Sequence, residues 1–442
     1  MKRAPLLKIA TLCTVMISHA TWAGSFGIYD PRSQSMGGAA VAVGSVDMAA
    51  GHNPALLGLY NEDEDTTLNG RYYLPYALGS LSEVAIDAID LIDEELDVMF
   101  DEALSRYNAT PNPANAALVS TAATDLEQGL EGIANRDIAF SAFVAAISIS
   151  EPSKKGGGAF YLGSRIEGGG ASYVPDDDLA LFKEYIKALD NVAAGGDWRD
   201  VNCDVFNLEP DSSGDIICRN YDSLPPSLRD PFDAIESSAR IRGLVINEAA
   251  VSAAWGFDMD RMRVAIGVTP KVMQVRVFDE VRNVSDKTVN TSLTFKPHLM
   301  FNADIGIAID FDMGVRLAYV GKDLFTRNFS SGEGNEPIKL NAKHRMGIGY
   351  IQPNWQIGLD YDMQVATPYD KEKTGQLLSL GGEYMLFKHL ALRAGYRYDT
   401  DNNLPAVSSI GIGTHWLRTY LNISYQTSQQ ERGAGLQLGF AF

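Results

Sequence analysis

From Ile241 to the last residue, the chain alternates apolar and polar side chains almost without interruption. The clearest stretch puts Trp355, Ile357, Leu359, Tyr361, Met363 and Val365 on one parity. Val251 to Met259, Met262 to Val268 and Phe301 to Ile309 repeat the pattern, as do Met346 to Tyr350, Leu390 to Tyr398 and Leu421 to Tyr425. A period of two marks strands with one apolar face. Counted from Thr66, about fourteen strands are predicted. Their connections alternate: short turns near Glu151–Gly157, Asp258–Arg261, Asp310–Met313, Gln352–Asn354, Phe387–His389 and Trp416–Arg418, and longer loops such as Asp279–Lys296, Arg327–Ile338 and Thr427–Gly433.

The 442 residues have a mean hydropathy of only −0.09, and past the N-terminus no run is long and apolar enough for a membrane helix. Strands escape that test, because each needs only about 9–11 alternating residues to cross a bilayer. An even strand number, one-sided loop lengths and aromatics gathered towards strand ends predict an all-β fold, an antiparallel transmembrane β-barrel. The last strand carries Leu436, Leu438, Phe440 and the final Phe442 on one face, and so resembles the closing strand of bacterial outer-membrane barrels. The expectation is a barrel in the outer membrane of a Gram-negative bacterium, monomeric, surrounded by lipid, with both termini periplasmic.

Residues 1–23 read as a signal peptide: Lys2, Arg3 and Lys8, then an apolar centre, then Thr21-Trp22-Ala23 as a cleavage site. Cys13 falls inside that segment. Cys203 and Cys218 remain, and in an exported chain such a pair is expected to form one disulfide. The net charge of −19 argues against a nucleic-acid partner. The six histidines show no ligand spacing, so no metal or other cofactor is expected.

Residues 24–65 are not strand-like. Met36-Gly37-Gly38-Ala39-Ala40-Val41-Ala42-Val43-Gly44 packs closely, and Asn53-Pro54-Ala55 follows. This is either a tethered segment with a turn or a hatch folded into the lumen of the barrel, which would then span 66–442. Thr66 to Leu78 predicts a first strand with Tyr72, Leu74 and Tyr76 on one face. Residues 79–136 form an acidic, helical extracellular loop, in which Ile86, Ile89, Leu96, Met99, Phe100 and Leu104 recur at helical spacing. Residues 173–240 form a second extracellular loop with the two cysteines and a helical run from Leu179 to Val192. Asp176-Asp177-Asp178 lacks the spaced ligands of a calcium loop.

The parity opposite the apolar faces would line the lumen, and it carries Arg316, Arg345, Asp360, Asp362, Glu383, Arg393 and Arg397. Arg345 falls beside Asp360 or Asp362, and Glu383 beside Arg393. Such pairs either brace a filled lumen or line a hydrated channel. No motif places a nucleophile beside a base, so no catalytic residue is assigned.

The opening Asp30-Pro31-Arg32-Ser33 with Met36-Gly37-Gly38, the Asn53-Pro54-Ala55 element, the strands and the terminal phenylalanine together resemble the long-chain fatty-acid transporter (FadL-type) barrels. They more closely resemble a related exported family labelled conjugal transfer protein TraF. The resemblance implies a fourteen-stranded barrel with a hatch or gate built from Gly37, Gly38, Asn53, Pro54 and Ala55. It implies passive uptake of hydrophobic small molecules such as long-chain fatty acids. The alternative is a contact- or conjugation-related protein that meets a cell-surface protein partner through its two large loops, which the transporters do not share.

Overall fold

The computed structural model describes residues 26–59, 71–73, 75–87, 96–153, 156–208, 225–284, 295–331, 336–365, 375–387 and 389–442. Residues 1–25, on which the expected signal peptide falls, Cys218 and part of the second large loop lie outside them. Fourteen antiparallel strands make one sheet. They are β1 (Arg71–Tyr73 continued by Tyr76–Ser82), β2 (Asp137–Glu151), β3 (Gly156–Tyr173), β4 (Ser238–Met259), β5 (Met262–Asn283), β6 (Lys296–Phe311) and β7 (Val315–Lys322). The series continues with β8 (Lys343–Gln352), β9 (Trp355–Asp362), β10 (Leu377–Leu386), β11 (Leu390–Asp399), β12 (Val407–Trp416), β13 (Thr419–Thr427) and β14 (Glu431–Ala441). Each pairs with its sequence neighbour, and β14 returns to β1, Phe440 opposite Tyr72 and Leu436 opposite Ala77. The sheet is therefore a closed barrel with no free edge.

The outer wall is apolar. Ile348, Ile357, Leu380, Ile412, Ile423 and Leu436 are all exposed there. Towards the end that holds the short turns, Trp255, Tyr350, Trp355, Tyr384, Phe387 and Trp416 form an aromatic rim. Such a surface is stable only against lipid, and a closed barrel wearing it is an outer-membrane protein.

The turns between β4 and β5, β8 and β9, and β12 and β13 span two residues, and Leu417 takes a positive φ of 56° to reverse the chain. The opposite end carries the longer connections, except that β13 meets β14 through only residues 428–430; the sequence reading made this loop too long.

Helices α2 (Leu96–Ala109), α3 (Pro113–Ile133) and α4 (Asp176–Ala193) stand at the long-loop end. They share a core of their own, in which Phe100 meets Phe182 edge-on at 6.1 Å and Phe232 at 5.7 Å. Asn112 caps α3 by accepting from Asn115 N–H at 2.9 Å. The Asp178 carboxylate, from the acidic triplet, is engaged by the backbone. Its Oδ2 accepts the Glu236 and Ser237 amides at 3.0 and 2.7 Å, tying α4 to the return of the loop. Met99 lies on the outer face of α2, not in the core.

Two prolines interrupt the wall. At Pro270 in β5 the ladder with β4 stops at Ala250–Lys271 and resumes at Ala253–Val268. Buried Ser252 and Thr269 stitch that gap from inside, Oγ to Oγ1 at 2.8 Å. At Pro75, β1 bends, and β2 carries a bulge opposite, between Ala145 and Ile147. The bend also shifts parity: Tyr73 and Tyr76 both point into the lumen, so the expected shared face of Tyr72 and Tyr76 is corrected.

Candidate functional site

Residues 26–59 lie inside the barrel. Asp30 opens α1 (Pro31–Ser35) as its N-cap, accepting Ser33 N–H at 2.8 Å, and Pro31 takes the first position, where no amide is needed. Gly37 and Gly38 reverse the chain with φ of +68° and +92°, a region that a side chain disfavours. Asn53 caps the short turn Pro54–Gly58: its Oδ1 accepts Ala55 N–H at 3.1 Å, while Nδ2 donates to the carbonyls of Val41 at 3.1 Å and Tyr319 at 3.4 Å. One side chain thus links both hatch elements to the wall. The Asp30 carboxyl is fully buried, which alone would raise its pKa. The His52 ring it touches, together with Ser33 N–H, outweighs burial and holds it at about 2.

The wall is shaped to receive this segment. Gly267 faces Pro54, Gly306 faces Asn53, Gly381 and Gly395 face Met36, and Gly411 faces Ser35; a Cβ at any of them would overlap the hatch. Gly37 in turn seats against β11, where a Cβ would lie 2.7 Å from Tyr396 N. Between these notches, wall charges grip hatch backbone. Asp360 Oδ2 accepts the amides of Ala40 and Val41 at 2.7 and 2.8 Å. Arg345 donates to Gly38 O at 3.1 Å and Arg316 to Ala42 O at 3.2 Å. Glu383 takes both arms of Arg32, at 2.9 and 3.0 Å.

The lumen residues expected from sequence are thus largely brought together, and most of them bind the hatch. Arg345 pairs with Asp362, leaving Asp360 for the hatch amides. Arg393 pairs with Glu383 at 2.5 Å, so Glu383 sits between two arginines. Arg316 meets Asp310 at 3.0 Å. Arg397 lies apart, on Glu431 at 3.1 Å. Cys203 opens a short turn, Cys203–Val205, while Cys218 lies outside the described residues.

Sequence reasoning missed a second charged layer, between the hatch and β3 to β8. Lys271 Nζ lies 2.6 Å from Asp323 and 2.8 Å from Asp304, and Arg165 lies 2.7 Å from Asp323 and 3.0 Å from Glu167. Lys343 reaches Glu167 at 3.0 Å. Arg165 donates to Tyr29 OH at 3.2 Å, and Lys322 sits 3.8 Å over the Tyr29 ring while donating to Gly51 O. Burial pushes the Tyr29 phenol well above its usual range, so it stays protonated. The available signal was charge on the inward parity of β4 to β7, at Glu248, Lys271, Asp304 and Lys322.

Beyond the hatch, towards the long-loop end, lies a cavity of about 460 Å³. Phe26, Ile28 and Tyr29 of the hatch lie on one side of it, Leu78, Phe140 and Phe143 on another, and Arg397 and Glu431 on a third. Phe143 packs edge-on against Tyr29 at 5.3 Å and tilts against Tyr76 at 6.0 Å, and Tyr76 meets Tyr73 at 6.2 Å. Tyr73 and Tyr76, on either side of Pro75, are also held by the hatch, Tyr73 OH on Asp47 and Tyr76 OH 3.9 Å from Met48 Sδ.

The family described as F plasmid transfer operon, TraF, protein matches residues 50–362. The chain belongs to this family. The match runs from the end of the hatch through β9, and so takes in Asn53-Pro54-Ala55 and both large loops. No curated protein matches the sequence. Among solved structures the chain is similar to the Ralstonia pickettii toluene transporter TbuX, at 11% identity and a TM-score of 0.44, covering 94% of this chain and 98% of that one. It is similar to the P. putida toluene transporter TodX, at 11% and 0.43, covering 94% and 98%. A third, the CymD monoaromatic hydrocarbon channel, gives 10% and 0.44, covering 95% and 99%.

Proposed function

We propose that this barrel takes up hydrophobic small molecules passively. They enter the cavity from the long-loop end, taken as extracellular in a Gram-negative bacterium with periplasmic termini, and leave sideways at Pro75. The observation that carries the reading is the run of rings from Phe143, on the cavity wall, through Tyr76 to Tyr73, the last two flanking the Pro75 bend. The glycine notches and ion pairs keep the hatch body seated, so a sideways exit needs Tyr73 and Tyr76 to turn and give up their contacts with Asp47 and Met48, whereas an axial one needs the whole hatch to leave. Long-chain fatty acids are one class within this reading. The cavity volume lies in the range of small-molecule sites.

The test is saturable binding of the neutral apolar dye N-phenyl-1-naphthylamine to the purified, folded barrel. Ser141 lines the cavity, so Ser141→Trp should fill it and abolish binding. Absence of saturable binding by the unmodified protein, for the dye and for a panel of alkanols and monoaromatics, would sink the reading.

A second reading has its own support: helices α2 to α4 pack on one another in a large core that meets the barrel at Ile138, as a platform for a cell-surface partner would. Deleting residues 96–133, which leaves the cavity residues Val84 and Asn135 in place, and finding dye binding intact would separate the two roles.

A further inference from the structure

Resting on the uptake reading, the polar side of the cavity narrows the cargo. Among the described residues three arginines line it, and each already has a carboxylate. Arg397 Nη2 donates to both oxygens of Glu431, at 3.1 and 3.2 Å, and Gln426 donates to the same carboxylate. Arg165 is held by Asp323 and Glu167. Arg136, at the rim, lies 3.5 Å from Asp87 and donates to Gly132 O at 2.6 Å. The Asp399 carboxylate is enclosed by the amides of Gln376, Asp401, Asn403 and Leu404.

A free carboxylate head entering this space would lose its water and find no unclaimed cation among these groups. To gain one it would have to displace Glu431 or Asp323, leaving that acid buried and unpaired. A hydroxyl or ester head carries no such penalty, because Ser80, Ser141 and Gln430 offer hydrogen bonds on the same wall.

We infer that the cavity selects an uncharged amphiphile, with its apolar body on Phe26, Ile28, Phe140 and Phe143, and discriminates against the ionised form of the same chain.

A matched set tests this: 1-dodecanol, methyl dodecanoate and dodecanoate, titrated at pH 8 into the full chain in lipid nanodiscs. The alcohol and the ester should bind about tenfold tighter than the carboxylate. Dodecanoate binding as tightly or tighter overturns the inference and leaves uptake standing, whereas no binding by any of the three, nor by the neutral dye, removes both. Glu431→Gln releases Arg397 and should bring dodecanoate close to the ester. An unchanged ratio in that variant, with the ester still bound, means the Arg397–Glu431 pair does not set the preference, and the inference falls.

Discussion

Arg32 and Glu383 stand 351 residues apart in sequence and meet in a two-point ion pair, Nε to Oε2 at 2.9 Å and Nη2 to Oε1 at 3.0 Å. Glu383 also receives Arg393 and Gln356. One carboxylate therefore joins the hatch to strands β9, β10 and β11.

Glu383→Gln should be severe, because it leaves Arg32 and Arg393 buried around a neutral amide. The cost expected for breaking such a pair is roughly 3–5 kcal/mol. Urea unfolding of the barrel in micelles gives the magnitude. Protease cleavage within residues 26–59 tells whether the hatch loosens first, and resistance equal to that of the unmodified protein would contradict the anchoring role.

Gly395→Ala pushes a methyl group into Met36 and Gly37, whereas Gly382→Ala meets nothing nearer than 3.8 Å. The first should cost about 1–3 kcal/mol and the second less than about 0.5 kcal/mol. Equal midpoints in parallel denaturant titrations would mean that the hatch does not press on the wall.

Asp30 supplies a pH dependence with a definite sign. Its carboxyl titrates at about 2 in the folded protein against 3.8 for the free group, so its contribution is complete above about pH 4 and is lost as the pH falls towards 2. The loss amounts to about 2 kcal/mol. Hatch protection against hydrogen exchange, followed from pH 5 to pH 2, should fall in the native protein and lie flat in Asp30→Asn.

Phe100 sits wholly buried among Phe182 and Phe232 in the helical cap. Phe100→Ala should cost about 3–5 kcal/mol there and almost nothing in the barrel. Exchange mass spectrometry resolves the two: faster exchange in α2 to α4 with unchanged strands is expected, and a barrel that loosens too would show that the cap braces it.

The strands were legible because each alternates on its own: Trp355 to Tyr361 needs no knowledge of its neighbours to declare an outer face. The hatch was legible by elimination, as small-residue sequence without period. What could not be read was the partner of each inward charge. Asp360 and Asp362 share a parity, and only the strand register, which sets Asp362 directly opposite Arg345, leaves Asp360 for the hatch amides. Pro75 reversed the parity within β1, which the spacing of Tyr72, Leu74 and Tyr76 conceals. The glycines at 267, 306, 395 and 411 all fall on inward parity, a usable signal had they been read as seats for another backbone.

Those glycine seats bear on the order of assembly. The hatch precedes β1 in the chain, yet its notches lie on strands as late as β12, and the seam that closes the tube joins the first strand to the last. Because the seats grip from several sides of the tube, a finished cylinder offers no free path to them. A wall whose seats all face inward at one segment is shaped for a cylinder that closes with that segment inside it, and the seam at Tyr72 and Phe440 then seals a packed interior rather than an empty one.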